Sequence, residues 1–212
     1  ELTMIVINTQ WWLQSGFRPI GKQYGCNVKT EAEFFTRLEK LLVKNRHKRV
    51  LVIGHAPIYS YSIHGGRYKW THHVFPLTIY HKRAYLPLPV VGSLLPLYRK
   101  YYGAREDLSH PRYRRLRGKL KELFRKHPGI IYVSGHEHNL QHISKYGNDF
   151  IISGSASKIK YVTSGKYARF TMARKGFFKL CFGPGRGVRC QAWVADKKNP
   201  EGLMVYKQTL DR

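Results

Sequence analysis

The chain has 212 residues, enough for one domain with a sizeable core, and its 42% hydrophobic and 14% aromatic residues exclude a wholly disordered protein. Lysine and arginine number 38 against 12 aspartates and glutamates, and this formal net charge of +26 attracts polyanions, anionic lipid or phosphorylated substrates. No unbroken apolar run reaches the roughly 18–20 residues of a transmembrane helix. The only aspartates are Asp107, Asp149, Asp196 and Asp211, so a hydrolase built on several aspartate ligands cannot be complete in this chain.

The first fifty residues predict a strand, a helix and a second strand. Residues 4–7 form a continuous apolar run that is typical of a buried strand, and residues 50–53 form another, stopped by Gly54. Between them, residues 30–33 fit a helix capping box. Apolar residues then recur at helical spacing: Phe34, Phe35, Leu38, Leu41 and Leu42. This order predicts a right-handed crossover and a parallel or mixed sheet.

A long segment at about 67–108 shows no clear period and contains two apolar, proline-bearing stretches. Long insertions with structure of their own are often lids or docking surfaces, and we expect one of those roles here. The alternative is that the segment packs on its own domain and covers the core. In either case we treat it as an insertion within one domain that spans residues 1–212.

The residues after the insertion predict a basic helix and then mostly strands. Ser109 and Pro111 mark the start of the helix, which ends near residues 127–129. Its apolar stripe consists of Tyr113, Leu116, Leu120, Leu123 and Phe124. Residues 130–133 form a third buried strand. Short β-like runs follow, which we interpret as an antiparallel meander: 150–152, 167–172, 177–182, 188–194 and 203–206.

The basic side chains of the helix at 112–126 suit either anionic lipid or nucleic acid. Such a run is more often a solvated helix face, and no nucleic-acid motif accompanies it, so we do not expect a nucleic-acid partner. Cys181 and Cys190 flank a hairpin-like turn at 183–186. A four-residue turn places Cys181 opposite Val188 and Cys190 opposite Lys179, too far apart for an unstrained disulfide unless a bulge intervenes.

Two of the three predicted buried strands end in glycine and histidine. The first is followed by G-H-A-P at 54–57 and the third by G-H-E-H at 135–138. Open α/β sheets bind ligands at the carboxyl ends of their strands, and a glycine lets backbone and ligand approach closely. His136 and His138 are two residues apart, so an extended chain places both imidazoles on one side, one for each of two metal ions. Loop histidines that cap strand ends are the alternative interpretation.

These motifs resemble those of the calcineurin-like metallophosphoesterases, and within them the purple acid phosphatase branch. The matching stretches are N-T-Q-W-W-L at 8–13, G-H-A-P-I-Y-S at 54–60 with H-G at 64–65, and G-H-E-H-N-L-Q at 135–141. The resemblance implies mixed sheets in a four-layer α/β/β/α sandwich, of which this chain is the C-terminal half. It also implies a centre with two metal ions that are Zn, Fe or Mn.

The resemblance assigns a role to each motif histidine. His55 and His136 would bind one metal ion and His138 the other. His64 falls where this branch has a histidine near the substrate phosphate, so it would be a hydrogen-bond donor or general acid; an ordinary loop histidine is the alternative. The family's upstream signatures, D-x-H, G-D-x-x-D and G-N-H-[DE], are absent from the chain.

We therefore expect a metal-dependent phosphoesterase whose site is completed by a segment N-terminal to Glu1, with a phosphorylated substrate. A non-catalytic docking or assembly module of the cell envelope is the competing hypothesis. The proline-bearing apolar stretches of the insertion are similar to those of bacterial superfamily members that precede an outer-membrane barrel. On that basis we expect a place in the cell envelope or outside the cytoplasm, with contact to a membrane or to such a barrel.

Overall fold

The structure, a computed structural model, describes residues 1–184 and 187–211 and contains two β-sheets and a layer of helices. The strands are β1 (Leu2–Ile7), β2 (Arg49–Gly54), β3 (Ile130–Ser134), β4 (Leu140–Lys145), β5 (Asn148–Ile152), β6 (Ala168–Met172), β7 (Gly176–Phe182), β8 (Val188–Val194) and β9 (Leu203–Leu210). The α-helices are α1 (Thr9–Leu13), α2 (Glu31–Lys44), α3 (Thr71–Val74), α4 (Leu94–Tyr101) and α5 (Pro111–Lys126).

The first sheet is mixed and has the strand order β1-β2-β3-β5-β4-β6. Strands β1, β2, β3 and β5 run parallel to their neighbours, whereas β4 is antiparallel to both β5 and β6. Helix α2 connects β1 to β2 and helix α5 connects β2 to β3, as the alternating sequence pattern predicted. The carboxyl ends of β2 and β3 therefore lie side by side.

Each face of the first sheet is covered by a different layer. On one face α2 and α5 pack against the sheet, with Leu38 and Leu120 among the buried residues. On the other face Leu51, Ile131 and Ile151 pack against the second sheet, β7-β8-β9, which is antiparallel throughout. The result is a helix–sheet–sheet arrangement, which confirms the mixed α/β fold class and corresponds to part of the predicted four-layer sandwich.

The predicted helices are confirmed in position and in their buried faces. Helix α2 starts at the predicted capping box: the Thr30 side chain accepts a hydrogen bond from the Glu33 amide at 3.1 Å, while Glu33 accepts one from the Lys29 amide at 2.7 Å. Helix α5 begins at Pro111 and buries all five residues of the predicted stripe. Most charged side chains of α5 are exposed, whereas Arg117 and Lys121 are partly buried.

The prediction of one antiparallel meander after residue 134 is wrong in part. Strand β5 pairs in parallel with β3, so it continues the first sheet, and among the described strands the meander is limited to β7-β8-β9. Strand β4 was not predicted, because its sequence L-Q-H-I-S-K has polar side chains that are nonetheless buried. Gln141 and His142 are fully covered, and each has hydrogen-bond partners.

The predicted register of the β7–β8 hairpin is off by one residue. Gly185 and Arg186 of the predicted turn lie outside the described residues, but Phe182 pairs with Val188. Five residues therefore connect the strands instead of four, so Cys181 lies opposite Arg189 and Cys190 opposite Leu180. The two thiols project from opposite faces of the sheet, and all three cysteines are free.

The insertion at 67–108 is folded and contains α3, α4 and short 3-10 turns at Pro76–Ile79 and Val91–Ser93. Many of its large apolar side chains face outward, including Trp70 at 76% exposure and Val90 at 87%. Within residues 1–184 and 187–211, no helix has both the length and the apolar character needed to cross a bilayer.

Shortening a buried leucine of α5 should destabilise the fold. Leu120 is 1% exposed and packs in the core beneath the first sheet, so we expect Leu120→Ala to cost about 2–5 kcal/mol. Leu94→Ala in the insertion is the matched control, because Leu94 is 65% exposed and its shortening leaves no cavity. Urea denaturation measures both changes, and equal losses in the two variants would contradict this description of the core.

Candidate functional site

The two glycine–histidine motifs meet at one edge of the first sheet. Strands β2 and β3 are parallel neighbours with Ile53 opposite Val133, so both chains emerge at the same level. The Gly135 amide donates a hydrogen bond to the His55 carbonyl at 3.1 Å, which continues the pairing beyond the strands. As a result Nε2 of His55 and Nδ1 of His136 are 3.2 Å apart.

The backbone that follows β2 is held by side chains from several elements. The Tyr132 hydroxyl donates to the Ala56 carbonyl at 2.7 Å, the Tyr113 hydroxyl to the Pro57 carbonyl at 2.9 Å, and the Ala56 amide to the Thr9 hydroxyl at 2.9 Å. These bonds satisfy buried backbone groups that no strand pairs, so they fix the direction in which His55 projects.

The glycines of the two motifs differ in their reason for being glycine. A Cβ on Gly54 would stand 2.5 Å from the Tyr132 hydroxyl and 2.9 Å from a methyl carbon of Thr9, so close packing excludes any side chain there. A Cβ on Gly135 would meet no described atom within 4 Å. The predicted close approach thus applies to Gly54, and the structure gives no such steric reason for Gly135.

All four histidines identified from the sequence line one cavity of about 430 Å³, which we call the imidazole cavity. The other lining residues were not predicted: Glu106, Gly154, Ser155, Lys158 and Lys160. The rings of His64 and His136 are 4.6 Å apart between centroids, and those of His55 and His136 are 5.2 Å apart. The cavity therefore combines imidazole nitrogens with two lysine side chains that can attract an anion.

His136 is held in one tautomer by the insertion. Its Nε2 lies 3.0 Å from the backbone carbonyl of Glu106, which accepts only hydrogen bonds, so Nε2 carries the proton and Nδ1 presents a lone pair towards His55. Burial, with smaller effects from neighbouring groups such as His64, lowers the pKa of His136 to about 4. The ring is therefore neutral at ordinary pH, as a ligand imidazole must be.

The backbone at the second motif is left-handed, not extended. His136 has φ of 73° and His138 has φ of 54°, a conformation uncommon for residues other than glycine. The extended geometry expected from the two-residue spacing is therefore wrong, although both rings still line the cavity. Such strain in non-glycine residues is concentrated at functional sites in proteins.

His138 lies at the side of the cavity that carries the lysines. Its Nδ1 is 3.3 Å from the Ser155 hydroxyl. Burial lowers the pKa of His138, and the charges of Lys160 and Lys158 lower it further. A neutral imidazole next to two ammonium groups is an arrangement that suits a negatively charged ligand.

His64 belongs to a buried charged group that no sequence pattern predicted. Its Nδ1 is 2.9 Å from Oδ1 of Asp107, and Arg99 contacts the same carboxylate through Nη2 at 2.6 Å and through Nε at 2.9 Å. His64, Arg99 and Asp107 are each less than 5% exposed. The Ala104 amide completes the set by donating to Asp107 at 2.8 Å.

Within this group Arg99 and Asp107 keep their charges because each neutralises the other. Burial alone would raise the pKa of Asp107, but hydrogen bonds from His64 and Arg99 outweigh that effect and the pKa lies below its ordinary value. Burial opposes the charge of Arg99 as well, and Asp107 reverses this so that the pKa of Arg99 is raised. The Asp107 carboxylate thereby orients the imidazole of His64, whose other edge faces the cavity.

Glu137 lies between the two motif histidines but does not line the cavity. It is fully buried, and neither carboxylate oxygen has a hydrogen-bond partner among residues 1–184 and 187–211. We therefore do not count Glu137 as a ligand of the imidazole cavity. Within the described part of the chain, no three His, Cys, Asp or Glu side chains are placed to hold one metal ion.

The comparisons with known proteins show a relationship at the level of the fold. No family model matches the chain, and no curated protein matches its sequence. The structure is similar to that of GAP50, the anchor in the inner membrane complex of Plasmodium, with a TM-score of 0.58 and 19% identity. It is also similar to purple acid phosphatase PPD1 from yellow lupin (Lupinus luteus) seeds, with a TM-score of 0.53 and 13% identity.

The chain has part of the purple acid phosphatase fold. Nearly the whole chain takes part in both matches, 99% in the first and 100% in the second. It spans only 49% of the GAP50 chain and 31% of the lupin phosphatase chain. The predicted resemblance to this branch is thus supported as a distant similarity of fold, and at this level of identity it carries no activity with it.

Breaking the buried charged group should destabilise the protein. Asp107→Ala leaves Arg99 charged and buried without its carboxylate, so we expect a loss of about 3–5 kcal/mol in urea denaturation. The double variant Asp107→Leu with Arg99→Met removes both charges and should recover much of that loss. Glu122→Ala, which breaks an exposed ion pair with Lys126, is the control and should leave stability unchanged. If Asp107→Ala were as stable as Glu122→Ala, that result would contradict the proposed importance of this group.

Proposed function

We propose that this chain is the C-terminal part of a metal-dependent phosphoesterase, which hydrolyses phosphomonoesters or phosphodiesters at a two-metal centre. A segment N-terminal to Glu1 in the same gene product supplies the remaining ligands. The observation that carries the proposal is the 3.2 Å separation of Nε2 of His55 and Nδ1 of His136 at the ends of parallel strands. His64 and His138 line the same cavity.

The separation of these nitrogens suits two ligands of one ion. Zinc–nitrogen bonds of about 2.0–2.1 Å with tetrahedral angles place two ligand nitrogens about 3.3 Å apart. The tautomer of His136 leaves its Nδ1 lone pair available for a metal ion. The Glu106 carbonyl accepts the hydrogen bond from Nε2–H, and metal-binding imidazoles commonly donate such a bond from their second nitrogen. His55 and His136 therefore fit one shared ion, which agrees with the roles assigned by the resemblance.

The described residues do not by themselves fit a pair of metal ions, because no third ligand joins His55 and His136. Two adjacent divalent ions repel strongly unless carboxylates offset their charge. We assign those carboxylates, and the partners of His138, to the upstream segment. When bound, such ions polarise a phosphoryl oxygen and activate a water molecule.

The residues of this chain would bind and orient the phosphate. Lys158 and Lys160 bring positive charge to the cavity at the His138 side. His64, held by Asp107 at Nδ1, would offer Nε2–H in its protonated form to a phosphoryl oxygen or to the leaving group. Zn, Fe or Mn suits imidazole and carboxylate ligands, and the chemistry of the donor set does not choose among them.

Strand β1 supports the idea of a further segment. It is the terminal strand of the first sheet as described, and one of its faces carries Leu2, Met4 and Val6 at 39%, 57% and 72% exposure. This is the face that the second sheet covers elsewhere. An apolar strand edge in water is a template for further pairing, so we place the upstream segment against β1.

Supplying the upstream segment should restore metal binding and activity. We expect the 212-residue chain alone to be metal-poor and inert towards an activated aryl phosphate, because it lacks bridging carboxylates. Co-expression with the upstream segment should yield bound metal, measured by elemental analysis, and phosphate release. In that complex His138→Ala should abolish both, whereas Lys197→Ala, which does not line the cavity, should change neither.

Two results would contradict this assignment. One is metal-dependent hydrolysis by the isolated chain that survives His138→Ala, since the active site would then lie elsewhere. The other is a stable complex with the upstream segment that binds no metal. The second result would favour a docking module that keeps the fold without its chemistry.

A docking role is the second candidate, and the insertion is the observation that favours it. The 67–108 segment exposes apolar side chains next to Lys82, Arg83 and Lys100 and has acidic residues only at its end. Basic and apolar side chains together suit the surface of an anionic membrane. GAP50, which shares the fold, is an anchor in a membrane complex, and we propose a membrane-associated place in the cell envelope for this chain.

Polar substitutions in the insertion test the docking role. Val90, Val91 and Leu94 are 87%, 62% and 65% exposed, so changing all three to serine should leave the melting temperature nearly unchanged. If the insertion contacts a membrane, the triple variant should sediment with anionic vesicles several-fold less than the parent chain. Phe177→Ser, an exposed apolar residue of the second sheet, is the control. Equal vesicle binding by the parent and the triple variant would contradict membrane contact through this surface.

A further inference from the structure

A second cavity, of about 600 Å³, adjoins the turn that carries His64. Gly65 lines this second cavity, whereas His64 lines the imidazole cavity. The two cavities have no lining residue in common. A volume of this size is typical of a pocket for a small molecule.

The lining of the second cavity is strongly basic. Its six cationic side chains come from the insertion, helix α5, strand β4 and the 164–167 loop: Arg67, Lys100, Arg114, Arg117, Lys145 and Lys166. The described lining contains no aspartate or glutamate. None of the ion pairs found among residues 1–184 and 187–211 involves these six side chains.

The cations are positioned by neutral groups, which leave their charge uncompensated. Arg117 donates to the carbonyls of Ile58 and Leu108, both at 2.8 Å. The Lys145 ammonium lies 4.9 Å from the centre of the Tyr59 ring and 4.4 Å from that of Tyr167. Aromatic faces and carbonyls fix a cation in place without cancelling its charge at longer range.

The pKa of the neighbouring Lys121 reflects both burial and the positive charge around this cavity. Burial lowers the pKa of Lys121 to about 8, and the charges of Arg117 and Lys145 act in the same direction. Like charges held this close favour an anion among them. The half-buried rings of Tyr59 and Tyr167 give the cavity apolar walls between its cations.

We propose that the second cavity binds a ligand that carries phosphate groups, either a free polyphosphate or the phosphate headgroup of a lipid. Arginine and lysine together form charge-assisted hydrogen bonds to phosphate oxygens, and walls without carboxylates do not compete for them. Cations on several separate elements suit more than one phosphate oxygen at a time. This site does not depend on metal ions or on the proposed hydrolysis, because it shares no residue with the imidazole cavity.

Calorimetric titration with inorganic tripolyphosphate, in the presence of a chelator, tests the site. The double variant Arg114→Gln with Lys145→Gln should raise the dissociation constant for tripolyphosphate at least tenfold relative to the parent chain. Because Lys145 contacts three tyrosine rings, a second pair, Arg67→Gln with Lys166→Gln, removes two exposed charges that each lie over a single tyrosine ring. It should give a similar loss, with an unchanged melting temperature.

Two matched pairs remove the same charge elsewhere. Lys197→Gln with Lys198→Gln changes a loop that lines neither cavity, and Lys158→Gln with Lys160→Gln changes the imidazole cavity. Both pairs should alter binding less than twofold. Equal weakening in the Lys197 and Lys198 pair would overturn the proposal, because binding would then reflect net charge alone. Equal weakening in the imidazole pair would overturn it, because the anion would then bind in the other cavity. The absence of measurable binding to both tripolyphosphate and vesicles that contain phosphatidic acid would overturn it as well.

Vesicles identify the source of the phosphate. Phosphatidylcholine vesicles with one-fifth phosphatidic acid are compared with pure phosphatidylcholine vesicles in sedimentation. Binding of the phosphatidic acid vesicles that is lost in both cavity pairs, with little affinity for tripolyphosphate, supports a lipid headgroup. Tight binding of tripolyphosphate that is lost in both cavity pairs, with little binding to the phosphatidic acid vesicles, supports a free polyphosphate.

Discussion

The parallel pairing of β2 with β3 is the constraint on which the site depends. Strand direction brings His55 and His136 to one edge of the sheet, and the hydrogen bond from Gly135 to the His55 carbonyl sets their level. A shift of β3 by one residue would turn its side chains to the opposite face and separate the rings. The helices on one face and the second sheet on the other bury both strands, so such a shift would also expose core residues.

Buried charged side chains hold the insertion against this edge of the sheet. Arg99 comes from α4, Asp107 from the end of the insertion, and His64 from the turn before it, and the three meet where water is excluded. Separating Arg99 from Asp107 would leave an uncompensated charge in a buried place, which is costly. The Glu106 carbonyl on His136 adds a second link. The insertion therefore braces the imidazole cavity while it presents apolar side chains to solvent on its outer side.

The sequence predicted those parts of the structure that local pattern encodes. Continuous apolar runs located β1, β2 and β3, a capping box located α2, and the stripe of α5 is buried as expected. Strand β4 escaped prediction because its buried side chains are polar and pair with residues distant in sequence. The hairpin register depended on loop length, which composition does not determine.

The histidines of the candidate site could be predicted from the sequence, but the residues that surround them could not. Glycine–histidine pairs after apolar runs indicate strand-end residues, so His55 and His136 could be identified from spacing. Asp107 and Arg99 reach His64 through the folded insertion, which has no periodicity to follow. Most of the twelve carboxylates already contact a basic or imidazole group, whereas the lysines and arginines of the two cavities have no such partner in the described structure. Two groups of uncompensated cations thus lie where a phosphate could enter, and an anion bound at either cavity would relieve repulsion that the fold itself leaves in place.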